Sequence, residues 1–431
     1  MFLEAGRKGN RLRFGIAGKG GSLAILIFAE IAVLSLWFSS TAVLPEMAVE
    51  SGVSASDLAW LSTAVPLGFA IGALIYAFLG LADRYDPRRV FMLSALAGAM
   101  ANLALLIVPI GGWEAIVLRG FTGATMAGVY PVGMKIAAGW GRSDRAFLVS
   151  LLISGLTIGS ASSHLMALSG GADWRLTIWA STLAAATGGA AVLTVSLGPW
   201  HAKAPTLDVA AISLIWTNRP VRLAVLGYIG HMWELYAFWA WVGVIATASY
   251  SLDGSEAARF LGKLTAFLAI GLGGFACVPA GWLAVRFGSA RLAQLCLFSS
   301  GAAALASAVL FGGPAWQMMA VLILWGIAII PDSALYSTLV ADAAPPERIG
   351  SLLTIQTALG FLLTAATVQA APRLAEFAGW SWVLAIMALG PALGIRAMQL
   401  LISSRHFPKP DPAGGIAARI EMNPVARDAA N

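Results

Sequence analysis

Charge is scarce in this chain. Only 11% of its 431 residues are Asp, Glu, Lys or Arg, against 59% hydrophobic residues and a mean hydropathy of +0.80. That leaves too little polar surface to cover a soluble globule. Cysteine is almost absent as well. Cys277 and Cys296 are the only two, and both fall in apolar stretches, which excludes a disulfide framework or thiolate metal site and leaves them as core residues. No phosphate-cradling Walker loop, metal-ligand cluster or nucleophile elbow can be read in the sequence, so neither ATP-driven work nor catalysis is expected: the chain is not read as an enzyme and calls for no cofactor. The net charge of +6, with a pI near 9.5, is scattered through turns and defines no nucleic-acid groove.

Apolar runs are what the sequence has in abundance. Crossing a hydrocarbon core of about 30 Å takes about 20 residues of helix. Stretches of that kind lie near 22–44, 58–82, 90–110, 115–137, 147–169 and 175–197, and again near 222–249, 259–283, 291–312, 316–340, 350–371 and 380–402. Barrel strands would alternate over shorter segments, so helices are the way this backbone satisfies itself in lipid. The expected fold is an all-α membrane protein of about twelve transmembrane helices in two six-helix halves. The expected divisions are a basic cytoplasmic segment 1–21, a first half 22–197, a cytoplasmic linker 198–221, a second half 222–402 and a mobile tail 403–431. The apolar stretch after the first 21 residues is too long for a removable signal.

Basic residues orient the bundle. With both termini inside, Arg7, Lys8, Arg11, Arg13, Lys19, Arg84, Arg88, Arg89, Arg142, Arg145, Lys203, Arg219, Arg222, Arg286, Arg291 and Arg348 are cytoplasmic, and only Arg175, Arg259, Lys263 and Arg373 lie near the opposite face. The lipid partner is thus a cell inner membrane or plasma membrane, crossed many times by a monomer.

One phrase occurs twice. Gly80-Leu81-Ala82-Asp83-Arg84-Tyr85-Asp86-Pro87-Arg88-Arg89 returns, altered, as Gly281-Trp282-Leu283-Ala284-Val285-Arg286-Phe287-Gly288 with Arg291 beyond, about half a chain later. Each copy separates two apolar runs and reads as a tight basic turn in an internally repeated transporter. The first copy resembles the loop motif between helices 2 and 3 of the major facilitator superfamily through Asp83, Arg84, Arg88 and Arg89, and the likeness extends over essentially the whole chain. It departs from that motif at Leu79, Asp86 and Pro87, and the second copy lacks the acid because Val285 stands there. Arg119-Gly120-Phe121-Thr122-Gly123 resembles the superfamily's helix 4 motif, linked there to proton coupling. Gly155 and Gly159 have the spacing of its antiporter motif without the Pro. A looser similarity is to bacterial nitrate or cyanate porters, although the second predicted helix, from Asp57 to Leu81, carries no Arg for an anion. The resemblance implies alternating access around a midplane site lined by helices 1, 4, 7 and 10.

Few ionisable side chains lie inside the runs: Glu30, Arg119, Lys135, His164, His231, Glu234 and Asp332. Each costs about 2.5–3.5 kcal/mol to insert and should face protein or a watery cavity. Glu30, Arg119, His231, Glu234 and Asp332 are the proton-coupling candidates. Glu30, His231 and Asp332 are expected to form one titratable layer, with His231 and Glu234 sharing one helix face at i, i+3 and Glu30 able to pin Lys135. Tyr130, Trp233, Tyr236 and Trp325 are the substrate-binding candidates, through rings with a polar handle. Trp239 and Trp241 fit an interfacial belt. Pro131 and Pro331 mark bends in helices 4 and 10, and Gly68, Gly72 and the 271–274 glycines mark close helix contact. Asp83, Arg84, Arg88 and Arg89 form a gating turn.

The reading is a proton-coupled secondary transporter whose partners are protons and a small organic solute, planar or vitamin-like, with uptake favoured. Efflux of hydrophobic compounds, uptake of an inorganic anion, and a receptor or scaffold without flux are the alternatives.

Overall fold

The computed structural model describes residues 18–141, 145–171, 173–201 and 207–404. Arg7, Lys8, Arg11, Arg13, Arg142, Lys203 and the tail from 405 onward lie outside the described residues. The described chain is helical. The principal helices are α1 (Lys19–Leu34), α2 (Ala55–Leu79), α3 (Pro87–Ala104), α4a (Trp113–Met126), α4b (Tyr130–Ala138), α5 (Arg145–Gly170) and α6 (Trp174–Ala191). The second half of the chain supplies α7 (Arg219–Leu252), α8 (Ala258–Phe287), α9 (Ser289–Leu310), α10a (Ala315–Ile329), α10b (Ser333–Ala343), α11 (Ile349–Ala378), α12a (Trp380–Met387) and α12b (Leu389–Ile402). Among the described residues nine helical stretches are long and apolar enough to span a membrane. The expected twelve would also need α1, α3 and the interrupted α4, which are not among those nine.

Local chemistry explains the ends. Ser54 caps α2 by accepting from the Asp57 N–H and donating to its carboxylate. Gly80 ends α2 in the left-handed region at φ 59°, a conformation that disfavours a side chain. Asp86 then caps α3 by accepting from the Arg88 N–H, with Pro87 in the first turn. Two of the departures from the superfamily loop pattern, Asp86 and Pro87, are therefore the residues that start the next helix. The second copy differs from the expected turn: residues 281–287 remain helical, and Gly288 alone, at φ 86°, separates α8 from α9.

Four expected runs are broken, the twelfth only at Ala388 between α12a and α12b. The first apolar run continues to residue 44, but α1 ends at Leu34, and turns over 35–40 lead into the short helix Leu44–Ser51. The fourth is interrupted over 127–129, just before Pro131, and the tenth over 330–332, around Pro331. These prolines sit at outright breaks rather than bends. The linker is not wholly irregular, since Val209–Ser213 and Leu214–Thr217 are helical turns before Asn218 caps α7.

Packing repeats between the two halves of the sequence. Gly68 lies so close to α4a that a methyl group there would collide with the Gly120 carbonyl, and Gly273 on α8 meets the Gly326 carbonyl of α10a in the same way. Gly274 instead faces α5 across the halves. The first six helices meet the last six chiefly through α5 on α8 and α2 on α11. Cys277 is buried and Cys296 half-buried, both as free thiols.

Candidate functional site

The break in α10 places Asp332 at the start of α10b, one residue after Pro331. Its Oδ2 accepts from the Tyr336 hydroxyl at 2.9 Å, and its Oδ1 lies 3.0 Å from His231 Nδ1 on α7, close in distance but without an aligned hydrogen bond. His231 Nε2 meets Ser333 Oγ at 2.7 Å. Tyr228 and Tyr336 stand against the imidazole, with ring centroids 6.2 and 5.5 Å away. His231, Asp332 and Tyr336 are all buried. A carboxylic acid, an imidazole and two hydroxyls stand in series, buried except at Ser333, which is half-buried.

The other expected members are elsewhere. Glu234 does not share with His231: it accepts from Ser300 Oγ at 2.6 Å and from Trp325 Nε1 at 3.0 Å, inside the second half. Three residues along α7 is about 300° of rotation, or 60° short of a full turn, enough to aim the two side chains at different neighbours. Trp325 is thereby committed to Glu234 and packs on Phe238, rather than standing open to a solute. Trp233 turns to α12a and donates to the Ile386 carbonyl at 3.1 Å. Trp239 and Trp241 are fully buried and form no interfacial belt.

In the first half Glu30 is fully buried and neither carboxylate oxygen has a hydrogen-bond partner. It lies against Gly133 of α4b and Gly155 of α5. The expected pin to Lys135 is not formed. Lys135 reaches the other way, to the Ala82 carbonyl at 2.9 Å and to the Asp83 carboxylate. Glu30 makes no hydrogen bond or ion pair with the His231–Asp332 pair, which is held within the second half. Tyr130, at the restart of α4, stands within electrostatic range of Glu30 and of Tyr228 from the opposite half.

Arg119 has no acidic partner among its hydrogen bonds. It donates to the Leu36, Trp37 and Leu61 carbonyls, at 3.0, 2.6 and 3.3 Å, and to Ser39 Oγ and Asn102 Oδ1. At Leu36 and Trp37 the guanidinium fork serves carbonyls in the turns that follow α1, and at Leu61 it reaches a carbonyl of α2.

Between the halves the rings of Trp37, Phe38, Phe69, Tyr236, Trp239 and Phe361 pack together. Trp37 lies 5.4 Å from Tyr236 and 5.6 Å from Phe361. Of these, Tyr236 was the one expected to meet a solute. Trp239 was expected in an interfacial belt, Trp37, Phe38, Phe69 and Phe361 resemble core residues in sequence, and the unwound end of α1 that projects Trp37 and Phe38 has no compositional signature.

The two ends of the bundle are tied differently. At the end carrying the repeated turn, Asp83 joins Lys135 within the first half, and Arg88 pairs with Asp86 at 2.7 Å while donating to the Val195 carbonyl. The Arg88 guanidinium holds the Asp86 carboxyl below its ordinary range, and Asp86 in turn raises Arg88. Arg84 and Arg89 are exposed. At the opposite end some bonds cross the halves, with Glu46 pairing with Lys263 at 2.8 Å and Gln369 accepting from Thr63 at 2.8 Å, while Arg175 pairs with Glu50 within the first half. Glu46, Thr63 and Gln369 escaped the sequence reading because nothing in their local pattern distinguishes a cross-half tie from a surface or core polar group. Among the described residues no three His, Cys, Asp or Glu side chains converge as metal ligands.

An interrupted helical bundle with sealed polar clusters and cross-half ties defines a multi-pass membrane transporter. The family model of the Major Facilitator Superfamily matches residues 25–368, and the chain belongs to that superfamily. Among solved structures it is similar to a point mutant of the nucleoside transporter NupG, at 12% identity and a TM-score of 0.67, covering 90% of this chain and 100% of the other. At that identity the likeness is one of fold. No curated protein matches the sequence.

Proposed function

We propose that the chain is a proton-coupled secondary transporter of a small, largely uncharged or weakly anionic organic solute. In this reading both termini are cytoplasmic in the cell membrane, the protein works as a monomer, and residues 22–197 and 222–402 rock about the centre. The observation that supports the coupling is the His231–Asp332 pair at the break in α10, held by Ser333 and Tyr336. A pair at a helix break can change its geometry as α10b moves, and so change where a proton is held. Tyr236 and Tyr130, near the junction of the halves, are the retained candidates for solute contact. Trp233 and Trp325 are withdrawn because their indole N–H groups are engaged within the second half.

The test is reconstitution into liposomes with a panel of ring-containing solutes, nucleosides among them, with and without an imposed proton gradient. Accumulation that needs the gradient, and is lost in Asp332→Asn while solute binding persists, is the expected result. Accumulation by Asp332→Asn equal to the parent removes this pair from the mechanism.

A further inference from the structure

Glu30 is the buried carboxyl group that the coupling pair leaves unused. It is fully buried on α1, and among the described residues it is the only Asp or Glu whose two oxygens are both buried without a hydrogen-bond partner. The acids of the second half are served: Asp332 accepts from Tyr336, and Glu234 from Ser300 and Trp325.

Two glycines wall this carboxyl group. A methyl group placed on Gly133 of α4b would stand 3.2 Å from Oε1, and one on Gly155 of α5 would stand 3.7 Å from Oε2. Both helices are therefore bare of side chains beside it, and the Gly133 N–H is already spent on the Val129 carbonyl at 2.7 Å. The backbone leaves room next to the oxygens without satisfying them, where an ordinary core supplies a donor to a buried acceptor.

The wall lies at the seam between the halves. Ser154, next to Gly155, donates to the Gly274 carbonyl of α8 at 2.8 Å. Tyr130, half-buried, precedes Gly133 by three residues on one face of α4b, about 4.5 Å along the axis. It stands within electrostatic range of Glu30, of Tyr228 on α7 and of Cys277 on α8. A ring face and a pair of empty acceptors thus neighbour each other where the halves meet.

We propose, resting on the solute reading above, that Glu30 determines which solute is taken: its carboxylate receives the edge of a planar nitrogen heterocycle carrying two adjacent N–H donors, a ring N–H beside an exocyclic amine, with Tyr130 against the ring face. Two free carboxylate oxygens accept two parallel N–H bonds as a fork. A ring with the N–H alone fills one oxygen and leaves the other buried and unpaired, the arrangement that separates close analogues most strongly. Glu30 acts here as an acceptor toward the solute, and the His231–Asp332 pair keeps the proton.

The test is calorimetric binding to the full-length protein in nanodiscs, with two pairs of probes that differ only by the exocyclic amine: guanosine against inosine, and isocytosine against its desamino analogue. The parent should bind the amine-bearing member of each pair at least about tenfold more tightly, the effect of one hydrogen bond to a charged acceptor. Glu30→Gln, which turns one acceptor into a donor, should abolish that preference. Gly133→Ala, which sets a methyl group against Oε1, should weaken the amine-bearing members more than their analogues, and carries the test if Glu30→Gln does not fold. Equal affinities within both pairs in the parent overturn the proposal, as does failure to bind any probe, a preference that survives Glu30→Gln, or equal weakening of both members in Gly133→Ala. Liposome accumulation judges the transport reading separately. A parent that shows the preference but accumulates nothing defeats that reading and upholds the acceptor, whereas gradient-driven accumulation without the preference defeats only the acceptor.

Discussion

At the scale of single residues, two buried carboxylates on the same half invite contrasting expectations. Asp332 faces an imidazole and a phenol, Glu234 a hydroxyl and an indole N–H. Asp332→Asn keeps shape and polarity but cannot titrate, so gradient-driven accumulation should fall by tenfold or more, about 1.4 kcal/mol of coupling, with solute binding retained. Glu234→Gln should do the reverse. One of its two terminal atoms becomes a donor where two donors already point, which should cost about 1–3 kcal/mol of stability, read as a lower Tm at unchanged accumulation per folded molecule. Arg119→Lys should also lower Tm, because one ammonium cannot span the Leu36, Trp37 and Leu61 carbonyls that the guanidinium reaches. The buried charges themselves were legible in sequence, being few and embedded in apolar runs. Their partners were not: Ser300 lies on another helix from Glu234, and the 60° between His231 and Glu234 decides which neighbours each meets.

At the scale of elements, the turn between α2 and α3 gives a pH-dependent expectation. The Asp86 carboxyl is depressed in the folded state, chiefly by its hydrogen bond to Arg88. Its contribution to stability is therefore fully present above the ordinary carboxylate pKa of about 3.9 and is lost as pH falls through the lower folded value. Asp86→Asn retains the cap on α3 and loses only the charge, so it should change Tm little at neutral pH and abolish the part of the acid-dependent loss that comes from this group. Asp86→Ala loses the cap as well and should cost about 1 kcal/mol more. Melting curves of the three proteins between about pH 7 and pH 3 separate these outcomes. The presence of most helices was legible from their apolar runs. The breaks were less so: Pro131 and Pro331 announced two of them, but the end of α1 at Leu34 falls within uninterrupted hydrophobic sequence, because the donors that stabilise the unwound carbonyls come from α4a.

At the scale of the whole molecule, the repeat of the basic turn anticipated a second level of repetition, the matched glycine contacts of α2 with α4a and α8 with α10a. The ties across the halves were not anticipated, since a hydrogen bond between Thr63 and Gln369 joins residues some three hundred positions apart and leaves no trace in either neighbourhood. The orientation of the bundle remains an expectation from its basic turns. A cysteine introduced at the exposed Val209 in the linker should resist an impermeant thiol reagent in intact cells and react once the membrane is opened. Labelling in intact cells would invert the topology.

The setting of Arg119 bears on how the protein is made. Every acceptor the guanidinium uses, Leu36, Trp37, Ser39, Leu61 and Asn102, precedes it in the chain. A ribosome delivering the polypeptide from its amino end has therefore already synthesised the whole receiving shell when the cation leaves the exit tunnel. The insertion cost of a central arginine, about 2.5–3.5 kcal/mol, can be offset as α4a enters rather than after later helices arrive. Biogenesis of the first half would then need no help from the second, and the expected outcome is that a fragment of residues 1–138 followed by a glycosylation tag inserts α4a as efficiently as the full-length chain, read as a tag left unglycosylated on the cytoplasmic side, while Asn102→Leu in that fragment raises the glycosylated fraction.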